Sequence, residues 1–138
     1  MINFFIEDTD YQLNNDSLIA EWLIRVAKEE THSIENINYI FCSDEYLLNV
    51  NQEHLQHDYY TDIITFDLSD VKGQIVADIF ISVDRVRENS LDAKTTFDNE
   101  MHRVLVHGLL HLIGYNDKTE SEQSVMRSKE NYYISALE

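Results

Sequence analysis

The chain has 138 residues, 43% of them hydrophobic, with three glycines, no proline and a single cysteine. That is enough to bury a core as one domain over residues 1–138, and a lone Cys42 excludes an intramolecular disulfide framework. The formal net charge of −16 argues against a protein that grips nucleic acid through a broad basic surface.

Residues 2–7 alternate weakly and read as an opening strand. They lack a basic region followed by an apolar run, so no secretory signal is expected. With one cysteine, the expected compartment is the cytoplasm. Residues 16–30 place Leu18, Ile19, Trp22, Leu23, Val26 and Ala27 on one face of a helix, with Asn15 or Asp16 as its N-cap. A strand over 36–42 follows, with Cys42 as a small buried hydrophobe. Ser43 then caps a short helix that turns Tyr46, Leu47 and Val50 to one side. Asp58 to Thr61 reads as loop and residues 63–66 as a strand. Gly73 turns the chain into a further strand over 75–81, so these two strands pair antiparallel. Helices are expected over 82–93 and 97–113. Thr119 to Glu122 forms a capping box that opens a last helix to about Ser135. The remaining strand connections pass through helices and favour parallel pairing. The expected fold is α+β, a small mixed four-stranded sheet packed with about five helices.

The helix over 97–113 carries the chemistry. His107 and His111 are four residues apart and share a helical face. The segment around them is apolar, and two unpartnered imidazoles buried there would be costly. Gly114 can end the helix in a left-handed turn, and Asp117 then arrives where a third ligand would sit. Three protein ligands with an open position suit a catalytic zinc-type site. Gly108 in mid-helix costs about 1 kcal/mol relative to alanine, which points to close approach of another group. The spacing is that of metzincin peptidases, whose helix places a glutamate after the first histidine as general base. That position is Gly108, so a peptidase is a poor reading. The helix is too short and too often interrupted by polar residues to cross a bilayer.

The run His107-Gly-Leu-Leu-His111-Leu-Ile-Gly114-Tyr115 resembles the signature H-G-x-L-H-L-x-G-Y-D-H of the YbeY family, bacterial metal-dependent endoribonucleases linked to ribosomal RNA maturation. Residues 58–66 resemble the family segment that ends T-D-V-L-S-F, and Ala77-Asp78-Ile79 resembles its G-D-I strand. The likeness runs from about Asn51 to Asp117. It implies a zincin-like sheet around a central helix that holds the ligand histidines. It also implies one zinc ion, RNA as substrate, processing of the 16S rRNA 3′ end and ribosome quality control, with a ribosomal protein or ribosome-associated GTPase as partner.

Two departures stand out. The signature's final D-H is Asn116-Asp117, so the implied ligand set is His107, His111 and Asp117. An anionic ligand leaves the ion less electrophilic and could favour an ion other than zinc. The family's Tyr-Arg pair after the Asn corresponds to His54-Leu55, so no cation stands at Leu55.

Further candidates are weaker. Asp62, where a loop meets a strand, is either a local cap or a carboxylate acting beside the ion. Asp78 breaks an apolar strand, either to face solvent or to support the site. Arg103, one turn before His107, either pairs with Glu100 or binds a substrate phosphate. His32, His54, His57 and His102 read as surface or packing residues. Arg85, Arg87, Lys94 and Arg103 flank the site in sequence. Two other functions remain open: a metal-binding ribosome assembly factor without catalysis, and a metallohydrolase of another substrate class.

Overall fold

The computed structural model describes residues 1–137. Among them the order is β1 (Ile2–Ile6), α1 (Asp16–Glu29), β2 (Ser33–Cys42), α2 (Asp44–Leu55), β3 (Ile63–Asp67), β4 (Gln74–Ser82), α3 (Val83–Asp92), α4 (Phe97–Ile113) and α5 (Glu120–Leu137). The strands form one sheet in the order β1-β2-β4-β3. β1 runs parallel to β2 and β2 parallel to β4, whereas β3 is an antiparallel edge beside β4. Gly73, at φ +85°, turns the chain between β3 and β4. The mixed sheet and five helices are those the hydrophobic pattern predicts.

Alternation along the strands decides what each face meets. Ile75, Ala77, Ile79 and Ile81 of β4 join Tyr39 and Phe41 of β2 in the main core, with Trp22, Leu23 and Val26 of α1 and Met101, Leu105 and Leu109 of α4. The opposite face carries Cys42, Ile64, Phe66 and Phe80, covered by Tyr46, Leu47 and Val50 of α2. Asp78 belongs to this second face. It accepts a hydrogen bond from Asn38 Nδ2 at 3.0 Å, in a polar ladder that continues from Asn38 Oδ1 to Asn3 Nδ2 at 3.0 Å. Asp78 is therefore a sheet residue, and its parity turns it away from the histidine helix.

Two buried hydrogen bonds tie the layers together. The Tyr39 hydroxyl donates to the Leu105 carbonyl at 3.1 Å, and the indole N–H of Trp22 donates to the Tyr133 carbonyl at 2.9 Å. Cys42 is buried, and burial with the nearby acidic groups pushes its thiol up to about 12. This is an inert apolar residue.

The helix boundaries follow their caps. The hydroxyls of Ser43, Ser82 and Thr96 each accept the N–H three residues on. At α5 the capping box is complete: Glu122 N–H donates to Thr119 Oγ1 at 3.1 Å and Thr119 N–H to Glu122 Oε1 at 3.0 Å. α1 starts at one of the two expected caps, but without the side-chain bond a cap usually makes. Asn15 occupies the cap in the left-handed region (φ 57°) without a side-chain cap bond. Asp16 Oδ1 instead accepts the Ser17 N–H at 2.8 Å. Among the described residues, no helix is long and apolar enough to cross a membrane.

Candidate metal centre

α4 is a core helix in which His107 and His111 stand on a half-buried face, while Glu100 is buried. Val104, Leu105, Val106, Leu109 and Leu110 are buried, while His107 and His111 lie at the rim of the core. Gly108 faces inward. A Cβ built there would stand 2.8 Å from Ile63 Cδ1 and 3.4 Å from Ile79 Cδ1. The group whose close approach Gly108 permits is the sheet itself. A side chain at this position would press on Ile63 and Ile79, and the chain carries no carboxylate there to act as a peptidase base.

The turn after α4 delivers the third residue. Tyr115 N–H reaches back to the Leu110 carbonyl at 3.0 Å and Gly114 N–H to the His111 carbonyl at 3.1 Å, the double bond pattern of a Schellman ending. Gly114 has φ +126°, where side chains are strained. The reversal brings Asp117 back over the helix. Its Oδ2 lies 3.4 Å from His107 Nε2 and 3.3 Å from His111 Nε2, and all three ligand atoms fall within 4.8 Å of one another. Donors bound at about 2.0–2.1 Å in tetrahedral geometry stand roughly 3.3–3.4 Å apart. Two imidazoles and one carboxylate at this spacing fit a single zinc-type cation.

His107 is held from behind. Its Nδ1 lies 2.6 Å from Glu130 Oε2 on α5, and the Glu130 side chain is only 5% exposed. Arg103 donates to Glu130 Oε1 at 2.9 Å and to Asn131 Oδ1 at 2.9 Å. This corrects the expected Arg103–Glu100 pair: the guanidinium turns across to Glu130 and Asn131 on α5, which together take both of its terminal nitrogens. Burial alone would lower the His107 pKa. The Glu130 hydrogen bond and the charges of Glu130, Asp62 and Asp117 outweigh it and hold the pKa above the usual value. Burial would raise the Glu130 carboxyl, but hydrogen bonds from His107 and Arg103 hold it below the usual range. The Glu130 carboxylate thus keeps a proton on His107 Nδ1 and leaves Nε2 aimed at the cleft.

Asp62, just before β3, stands beside this assembly. Its backbone carbonyl accepts the Ser82 N–H at 2.9 Å, and its side chain lines both the cavity that holds the three ligand residues and the adjoining one. Burial raises its pKa, against the lowering influence of His107. Its Oδ2 accepts from Asn89 Nδ2 of α3 at 3.4 Å, so the carboxylate is held at the edge of the ligand cluster. The cavities of about 390 and 460 Å³ meet at Asp62 and His107, and a third shares His107, Asp117, Arg127 and Glu130. They form one open cleft across the ligand cluster.

Other predicted residues sit elsewhere. Arg85 pairs with Asp44 at 2.7 Å, on α2. Arg87 stacks over the Phe97 ring at 5.0 Å. His54 packs edge-on against Phe66 and His57 stacks on Tyr59. Leu55 is partly exposed at the end of α2. Glu130 was not anticipated from the sequence, although Met126, Glu130, Tyr133 and Ile134 trace the buried face of α5. A carboxylate in an apolar helical stripe is the signal that finds it.

The family model described as endoribonuclease YbeY matches residues 2–138. The chain is 58% identical over 134 residues to endoribonuclease YbeY of Cytophaga hutchinsonii, covering 97% of this chain and 94% of that protein. It is 45% identical to the endoribonuclease YbeY of Karelsulcia muelleri over the same shares. The solution structure of TM1509 from Thermotoga maritima superposes with a TM-score of 0.66 at 28% identity, covering 99% of this chain and 89% of that one. With the sheet, the histidine helix and a family match over nearly all its length, the chain belongs to the endoribonuclease YbeY family.

Proposed function

We propose that this chain is a metal-dependent endoribonuclease of ribosomal RNA maturation, acting at the 3′ end of 16S rRNA and in ribosome quality control. The observation that carries the reading is the convergence of His107, His111 and Asp117 on one point of an open cleft, in a member of this family. Residues 1–138 act as one unit, and RNA is the substrate. The proposed ion is zinc, held by the two Nε2 atoms and the Asp117 carboxylate. When bound, it supplies a Lewis acid that draws charge from a phosphoryl oxygen.

The protein groups divide the remaining work. Glu130 fixes the His107 ring through Nδ1, and Arg103 fixes Glu130. Both terminal nitrogens of Arg103 have protein acceptors, so its contribution is positioning rather than a phosphate contact. Asp62 has the location and the raised pKa to take the proton from the attacking hydroxyl, whether that belongs to the RNA ribose or to water. The cytoplasm is the proposed compartment. A basic ribosomal protein or ribosome-associated GTPase is the proposed partner, because docking would offset the repulsion between RNA and a chain of charge −16.

The same charge, with Leu55 in place of a cation, favours a second reading: a metal-binding assembly factor that cuts nothing. Cleavage of single-stranded RNA by the protein and by His107→Ala, with and without chelator, separates the two. The nuclease reading expects cleavage that chelation and the substitution both abolish. Equal residual cleavage by both proteins overturns it. Metal analysis of His111→Ala and Asp117→Ala tests the ligands, and full occupancy in both variants sinks that assignment.

A further inference from the structure

From the uneven distribution of cations around the cleft, we infer that Arg127 on α5 is the phosphate-binding residue that holds the substrate strand beside the ligand cluster. The inference rests on the endoribonuclease reading and names where the RNA backbone is gripped.

Among the described residues, Arg103 and Arg127 are the only cations lining the three cavities that meet at His107. They differ in what their guanidinium groups already touch. Arg103 is 17% exposed, and its Nη1 and Nη2 donate to Glu130 and Asn131, each at 2.9 Å. Arg127 is 63% exposed, and its Nη1 lies 3.7 Å from Glu130 Oε1, longer than a hydrogen bond. Arg127 therefore keeps a planar donor fork open to solvent, the geometry that suits a phosphate. It borders two of the cavities, and each also includes His107 and Glu130. A phosphate on Arg127 would lie at the α5 side of the cluster, opposite Thr61, Thr65 and Asp67, which line the β3 side without a cation.

The location matters because of the net charge. A chain at −16 offers a polyanion little long-range attraction, so contact depends on local cations. The other cations that flank the site in sequence do not supply it: Arg85 is tied to Asp44, Arg87 lies over Phe97, and Lys94 lines none of the three cavities. Arg127 comes from the last helix, where nothing in the α4 motif points to it.

The test uses the full chain and a fluorescein-labelled, 2′-O-methylated single-stranded oligonucleotide, which binds but offers no ribose hydroxyl. Anisotropy gives Kd over a range of salt concentrations for the wild type, Arg127→Ala, Arg127→Lys and Arg25→Ala, the last altering an exposed cation on α1. Arg127→Ala is expected to weaken binding by roughly three- to tenfold, the scale of one charge-assisted contact. It should also lower the slope of log K against log salt by about one, as loss of one phosphate contact does. Arg127→Lys should retain the slope and Arg25→Ala should match the wild type. In cleavage of unmodified RNA, Arg127→Ala should raise KM more than it lowers kcat. A wild-type Kd and slope in Arg127→Ala overturn the inference, and so does an equal loss in Arg25→Ala. Absence of chelator-sensitive cleavage by the wild type defeats the nuclease reading instead, and the anisotropy series still decides on Arg127.

Discussion

Glu130 decides how well His107 can serve as a ligand. Glu130→Gln keeps the shape but removes the charge that holds the Nδ1 proton. Titration with zinc is expected to show about tenfold to hundredfold weaker binding; an unchanged affinity would remove Glu130 from the site. Sequence made the cluster of His107, His111 and Asp117 legible because helical spacing and the glycine turn are local. Glu130 was less so because its partner is 23 residues away, on another helix. Arg103 shows the same limit, since local spacing offered Glu100 while packing supplied Glu130. A second residue to test is Glu30, which closes α1. Its carboxylate accepts from the Tyr115 hydroxyl at 2.6 Å, from Lys129 Nζ at 3.0 Å and from the Tyr133 hydroxyl. Burial would raise its pKa, but these partners outweigh burial and lower it. A carboxyl depressed in the folded state stabilises above its unfolded pKa, roughly 4.3, and loses that contribution as pH falls through the folded value. Glu30→Gln should therefore cost about 1–3 kcal/mol at neutral pH. Melting curves of variant and wild type should converge in strong acid; a gap independent of pH would show that the charge is irrelevant.

At the scale of elements, α4 and the turn after it form one device. The helix packs through Val104, Leu105, Leu109 and Leu110, Gly108 lets the sheet come close, and Gly114 folds Asp117 back. Nothing lies within 4 Å of a Cβ built at Gly114, so space is not the obstacle. The cost lies in the backbone, because φ +126° is unfavourable for an L side chain. Gly114→Ala should lose on the order of 1–3 kcal/mol of stability and weaken zinc binding, as Asp117 is displaced. Chemical denaturation and zinc titration on the same sample check both, and a variant with native zinc affinity would show that the turn does not set the Asp117 position. Strand direction was readable, since the Gly73 turn implies an antiparallel pair and the helical crossovers parallel ones, whereas the order β1-β2-β4-β3 came only with the fold. The side to which Asp78 points depends on which strand parity the core selects. Asp78 matches a motif, so the sequence invites a role beside the ion that alternation denies it.

The whole molecule couples folding to the site. A ligand that binds only the folded state stabilises by about 2.7 kcal/mol at a hundredfold excess over its Kd. Zinc addition should thus raise Tm by something like ten degrees for a chain of this size. Chelation should reverse the rise, and His111→Ala should show no response to either. A wild-type Tm indifferent to zinc and chelator would mean that the three residues hold no ion. The charge of −16 was legible from composition, but its distribution was not: the cleft's cations come from α4 and α5, which only the fold brings together. The bond from the Trp22 indole to the Tyr133 carbonyl has an optical consequence. The protein has a single tryptophan, fully enclosed and anchored on the helix that carries Glu130 and Arg127. Its emission should be blue-shifted while α5 is seated and move to the red when that helix detaches. One intrinsic fluorophore therefore reports, without labels, whether the support behind His107 is in place.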